Sequence, residues 1–117
     1  ISEVVQKCKN KNWLGVILAC VSPEIIEKTI DEVRQLDMPF GYKANLWKLK
    51  EPLAHTAWYD NKSEKAYNPI EVLGTREDYT DAMFLKFSER MKNKGATILG
   101  GCCEIKPSHI KQISKLK

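Results

Sequence analysis

The chain has 117 residues, 43% of them apolar, which is enough for one domain with a modest core. Its 19 basic residues face 15 acidic ones along the whole length, and a formal charge of +4 so spread does not mark a nucleic-acid binder. No apolar run approaches the roughly 18 residues of a membrane span, and no charged segment precedes a short apolar one as in a secretory signal, so a cytoplasmic location is expected.

The chain opens on Ile1 rather than Met, and the helix-like phrase ISEVVQKCK begins at once, which points to a piece of a longer polypeptide. Cys8 falls on this helix and reads as an ordinary core or surface thiol. Residues 13–20, WLGVILAC, form a continuous apolar run of strand length, the pattern of a strand buried on both faces. In SPEIIEKTIDEVRQL, Ser22 can cap a helix with Pro23 at its first position, and Ile26, Thr29, Ile30 and Val33 recur at helical spacing. MPFGYKAN reads as a second strand.

After a long polar interval, YTDAMFLKFSERMKNKG predicts a helix capped by Thr80, with Met83, Phe84, Phe87 and Met91 on its apolar face and Gly95 at its C-terminal end. ATILGG then predicts a third strand. PSHIKQISKL closes with Pro107 at a helix start and Ile110, Ile113 and Leu116 on one side. The basic tail KQISKLK reads as a solvated helix end whose lysines suit the helix dipole.

The rhythm α-β-α-β-α-β-α implies right-handed parallel units, from an open doubly wound sheet or from part of a (β/α)8 barrel. Three strands cannot close a barrel by themselves. Residues 45–77 resist the pattern, carrying Trp47, Pro52, His55, Trp58, Tyr59, Tyr67, Pro69 and Gly74 with no sustained period. An interval this long after a strand of a parallel sheet lies where ligands bind, so it reads as an active-site loop, with simple packing of its aromatics as the alternative.

Cysteines occur at 8, 20, 102 and 103, and without an export signal they are read as reduced. The C-terminal ends of parallel strands share one edge, so Cys20, at the end of the first strand, and Cys102 and Cys103, at the end of the third, should meet. Three thiols at that edge suit a tetrahedral zinc with one open position. Gly100 and Gly101 would let the backbone turn and present both following sulfurs. Two alternatives stay open: ordinary buried thiols, or a redox-active pair of Cys102 and Cys103. No C-x-x-C pair is present.

The stretch GATILGGCCEIKPSHIKQI resembles the C-terminal signature of the zinc-dependent homocysteine S-methyltransferases, two glycines and two cysteines followed by a Pro-x-His-Ile helix start. LACVSPEIIEKTI is similar to that family's upstream element, and PLAHTAWYDN to a loop of its betaine-homocysteine branch. The matches keep the family's order and spacing, and correspond to about the last two-fifths of a member.

The resemblance implies that residues 1–117 form a single partial domain, the C-terminal portion of a (β/α)8 TIM barrel with strands six to eight and their helices. It implies zinc held by Cys20, Cys102 and Cys103, and transfer of a methyl group to the thiol of homocysteine, giving methionine. The donor is left open among betaine, S-methylmethionine, S-adenosylmethionine and a folate-linked route. Asn45 matches an Asn that orients substrate or loop, and Trp47, Trp58 and Tyr59 could bound a cationic donor.

Two positions depart from the family pattern: Ala19 stands where Asn is usual, and Glu104 where Gly is usual. His109, near the cysteines, is expected to make a structural hydrogen bond at the helix start or to support the metal. His55 is expected to be solvated or to touch substrate. The competing readings are a non-catalytic zinc-binding α/β fragment and a thiol-redox protein. Small-molecule substrates are the expected partners, with neither nucleic acid nor membrane, and exposed sheet edges favour self-association into a homo-oligomer.

Overall fold

The computed structural model describes residues 1–7, 11–48 and 69–116. Cys8, His55, Trp58 and Tyr59 lie outside them. Among the described residues five α-helices and three strands follow in the order α1 (Ser2–Lys7), β1 (Val16–Ala19), α2 (Pro23–Val33), β2 (Phe40–Ala44), α3 (Pro69–Leu73), α4 (Asp81–Asn93), β3 (Ile98–Gly101) and α5 (Pro107–Ile113). The strands form one parallel sheet in the order β1-β2-β3, with Val16 opposite Phe40 and Gly41 opposite Ile98.

Local chemistry fixes the helix starts. Ser22 and Thr80 are both extended, and their hydroxyl oxygens accept from the backbone N–H of Ile25 and Met83 at 3.4 and 3.3 Å. Each satisfies a donor that the first helical turn cannot, a contribution of about 1 kcal/mol. Gly95, at φ 100, ends α4 in the left-handed conformation that glycine adopts without cost.

The core lies on one face of the sheet. Register places Val16, Leu18, Phe40, Tyr42, Ala44 and Leu99 on this face, beneath Ile26, Ile30 and Val33 of α2, Phe84, Phe87 and Met91 of α4, and Ile113 of α5. Each fully buried Ile, Val or Phe contributes roughly 1.5–3 kcal/mol of transfer free energy. At the centre the Tyr42 hydroxyl donates to Ser88 Oγ at 2.6 Å, and Ser88 donates in turn to the carbonyl of Phe84 at 2.8 Å.

Among the described residues, nothing covers the opposite face. Ile17 there is 49% exposed and Ile98 38%, while Ala19 and Lys43 are exposed too. The expectation that residues 13–20 are buried on both faces is therefore corrected. Only Val16 and Leu18 point into the core, β1 begins at Val16, and Leu14 is 92% exposed. Gly41 lies between Ile17 and Ile98 on the opposite face, and a β-carbon there would lie 1.9 Å from the carbonyl oxygen of Ile98.

Three smaller differences have simple causes. Met83 is 43% exposed because the buried stripe of α4 is Phe84, Phe87, Ser88 and Met91, at helical spacing from one another and about 100° from Met83. Ile110 is exposed because α5 buries His109 and Ile113 and tightens into a 3-10 turn at Ser114–Leu116. Within the interval 45–77, Trp47 and Thr75 pair in an antiparallel bridge and α3 forms a short helix, so the two described ends of that interval are held together.

Candidate metal centre

Parallel pairing carries the three strand ends to one edge of the sheet. Just beyond β1, Cys20 adopts φ 57 while its N–H donates to the carbonyl of Lys43 at 2.7 Å, so the ladder continues as the chain turns. Past β3, the N–H of Cys102 donates to the carbonyl of Ala44 at 2.7 Å and that of Ile105 to the carbonyl of Cys102 at 3.2 Å, closing a four-residue turn. Its third residue, Glu104, has φ 62, in the left-handed region that a type II turn gives to glycine or asparagine.

Left-handed backbone in the turn therefore comes from Glu104 rather than from the two preceding glycines, which both keep negative φ. Gly101 serves a different need. A β-carbon there would lie 2.3 Å from Cγ2 of Ile105, so its absence lets the turn fold back on itself.

This geometry brings the three cysteines together as the sequence leads one to expect. Cys20 Sγ lies 3.7 Å from Cys103 Sγ, Cys102 Sγ lies 3.8 Å from Cys103 Sγ, and all three sulfurs fall within 4.8 Å of one another. Zinc–thiolate bonds of about 2.3 Å in a tetrahedron place sulfurs about 3.8 Å apart. Two of the three separations match that spacing and the third stays within 4.8 Å, so the residues present suit that ion. All three thiols are free, and the 3.8 Å between Cys102 and Cys103 is a contact of thiols, not a bond.

The cluster divides its acidity unevenly. Burial pushes the Cys103 thiol up to about 12, reinforced by the hydrogen bonds and charges of Cys20 and Cys102. Burial also opposes ionisation of Cys102, but hydrogen bonds from Cys20 and Cys103 and the charge of Lys43 outweigh it and bring this thiol below its usual value. Of the two, it is Cys103 that resists ionisation beside its neighbours.

Asn45 is buried beside the cluster. Its Nδ2 donates to the carbonyl of Cys20 at 2.7 Å and lies 4.0 Å from Cys20 Sγ, while Oδ1 accepts from the N–H of Trp47 at 3.4 Å. It thus braces the Cys20 turn. Trp47 is buried, bridged to Thr75. His109 is structural, as one of its expected roles held: Nδ1 accepts from the N–H of Lys106 at 2.9 Å, Nε2 faces Asp81 at 3.3 Å, and the ring packs on Phe84.

Sequence reasoning passed over Arg76. Its side chain is 4% exposed, pairs with both carboxylate oxygens of Glu24 at 2.7 and 2.9 Å, reaches both oxygens of Asp78 at 3.3 and 3.0 Å, and stacks on Tyr79 at 4.7 Å. A buried guanidinium with a bidentate partner anchors the segment after α3 to the start of α2. Its partners are 52 residues and two residues away, so no local pattern announces it.

The sequence model of the homocysteine S-methyltransferase family matches residues 1–116. The chain belongs to that family. It is similar to homocysteine S-methyltransferase 1 of Brassica oleracea var. italica, 30% identical over 118 residues that cover 97% of this chain and 32% of that protein. The homocysteine S-methyltransferase 1 of Zea mays is 29% identical over 103 residues, covering 83% of this chain and 25% of that protein. The chain thus spans a third or less of the length of these two relatives. No solved structure gives a significant match.

Proposed function

We propose that this chain supplies the metal-holding end of an enzyme that methylates the thiol of homocysteine, with zinc held by Cys20, Cys102 and Cys103. The observation that carries the reading is the cluster itself: three sulfurs from two strand ends, spaced as a tetrahedral ion requires, in a member of this family. Cys20, Cys102 and Cys103 would hold the ion, and the chemistry it would supply is to keep a substrate thiol deprotonated at neutral pH and so nucleophilic toward a methyl group on a cationic sulfur or nitrogen.

The chain's own residues prepare that site. Asn45 and the Lys43 carbonyl hold Cys20 in its left-handed turn, and the Ala44 carbonyl holds Cys102. Asn45 also stands close enough to the cluster to orient a bound substrate or the backbone that flanks it. Ala19, in place of the family's usual Asn, leaves a small side chain on the uncovered face before the first ligand.

In this reading residues 1–117 are one partial domain, the last strands and helices of a (β/α)8 barrel. The uncovered face of the sheet supports it. Ile17, Ala19, Gly41, Lys43 and Ile98 line that face, and in a closed barrel these positions point inward, where side chains from successive strands stack in layers. The same uncovered face favours a second reading for the isolated segment, that it binds metal without turnover, since an open sheet does not enclose substrate.

Native mass spectrometry and methionine formation on the full-length protein test the proposal. One zinc per chain, homocysteine-dependent methionine production from a sulfonium or betaine donor, and loss of both in Cys20→Ser are expected. A metal-free protein with a vicinal disulfide at Cys102 and Cys103 would replace methyl transfer by thiol redox chemistry.

A further inference from the structure

Glu104 raises a question that the cysteine cluster does not answer. A residue with a β-carbon held at φ 62 costs roughly 1–2 kcal/mol relative to glycine. The glutamate side chain makes a bond at this position that glycine could not.

Its carboxylate oxygen Oε2 accepts the Thr75 hydroxyl at 2.5 Å, the short distance of a charge-assisted O–H···O bond. Thr75 is itself fixed: it bridges Trp47, and its neighbours bond across the same ladder, Arg76 N–H to the Leu46 carbonyl at 2.9 Å and Lys48 N–H to the Gly74 carbonyl at 2.9 Å. Leu46 in turn donates its N–H to the carbonyl of Cys103 at 3.1 Å. These bonds close a ring that runs from Cys103 to Leu46, Arg76, Thr75, Glu104 and back through the peptide bond to Cys103. Buried Arg76 pins the ring to α2 through Glu24. Among the described residues the candidate metal group contains the three cysteines and not Glu104.

We propose that Glu104 and Thr75 form a latch that sets the orientation of the Cys102–Cys103 turn, with both acting as positioning residues and neither as a metal ligand. The proposal rests on the metal reading above. Without the latch the turn still forms, but its two thiols spend less time in the orientation that converges on one ion. Partners that orient ligands in this way typically govern metal affinity by a factor of 10 to 100.

The test compares Thr75→Val, Thr75→Ser and Glu104→Gly in the full-length protein. Zinc affinity is read by competition with a chromophoric chelator, thiolate geometry by the spectrum of bound cobalt(II), and folding by denaturation of the metal-free protein. Thr75→Val and Glu104→Gly are expected to weaken zinc binding about 10-fold and to alter the cobalt spectrum, at unchanged stoichiometry. Thr75→Ser, which keeps the hydroxyl, should restore both. Glu104→Gly separates positioning from stability, because glycine removes the left-handed penalty and metal-free stability should hold or rise while affinity falls.

Wild-type affinity and spectrum in Glu104→Gly and Thr75→Val would overturn the latch. So would loss of affinity in Thr75→Ser equal to that in Thr75→Val. If the wild-type protein bound neither zinc nor cobalt, the metal reading itself would fall first, a result distinct from either.

Discussion

Tyr42→Phe deletes one oxygen from the centre of the core. Tyr42 is fully buried, its hydroxyl donates to Ser88 at 2.6 Å, and Ser88 keeps its own bond to the Phe84 carbonyl. The lost hydrogen bond is worth about 1 kcal/mol net, and the small void brings the expected cost to about 1–2 kcal/mol. Ser88→Ala should cost more, about 1–3 kcal/mol, because it leaves the phenol buried without its acceptor. In the double variant both polar partners are gone, so its cost should fall below the sum of the two. Urea denaturation at neutral pH gives all three values.

The same residue predicts an alkaline limb. Burial raises the Tyr42 phenol from 10.0 to about 12, the Ser88 bond offsetting part of the rise. The folded state holds a proton that the unfolded chain releases first. Stability from this group is therefore intact below pH 10 and is lost as pH climbs towards 12, by on the order of 3 kcal/mol. Tyr42→Phe should flatten that limb. Additive costs in the cycle, or an alkaline slope unchanged in Tyr42→Phe, would refute the assignment of a buried, hydrogen-bonded phenol.

Arg76→Lys should destabilise by roughly 1–3 kcal/mol in urea, since an ammonium cannot reproduce two forked contacts and a stack on Tyr79; unchanged stability would mean that Glu24 and Asp78 are adequately solvated without it. Asn45→Ala removes the brace on the Cys20 carbonyl, so chelator competition should show zinc affinity falling roughly 10-fold while Cys20→Ser abolishes binding. Equal affinity in Asn45→Ala and wild type would leave Asn45 no part in holding the site.

Much of this architecture was legible because it is local. Ser22, Thr80 and Gly95 mark helix ends through bonds within a few residues, and period and punctuation located the three strands. The convergence of Cys20 with Cys102 and Cys103 was legible for a topological reason: parallel strands share an edge. What escaped depends on distant partners or fine backbone geometry. An apolar run like residues 13–20 does not say how many of its faces its own chain covers. A five-residue helix such as Pro69–Leu73 is too short to show a period. Arg76 looks like a surface arginine until the fold brings Glu24 to it. The strain at Glu104 is invisible in a sequence where glycines stand three and four residues earlier and invite the turn to be placed on them.

Cys20 and Cys103 are separated by 83 positions in the chain, yet their sulfurs touch. An ion shared between them would act as a reversible cross-link around the segment from Cys20 to Cys103, which includes both helical connections between the strands. Closing a loop of that length with a covalent bridge restricts the unfolded chain by on the order of 4–5 kcal/mol in the chain-entropy view. Such a tie would make a bound ion a fastener, and a chelator would then loosen the sheet at the same moment that it emptied the site.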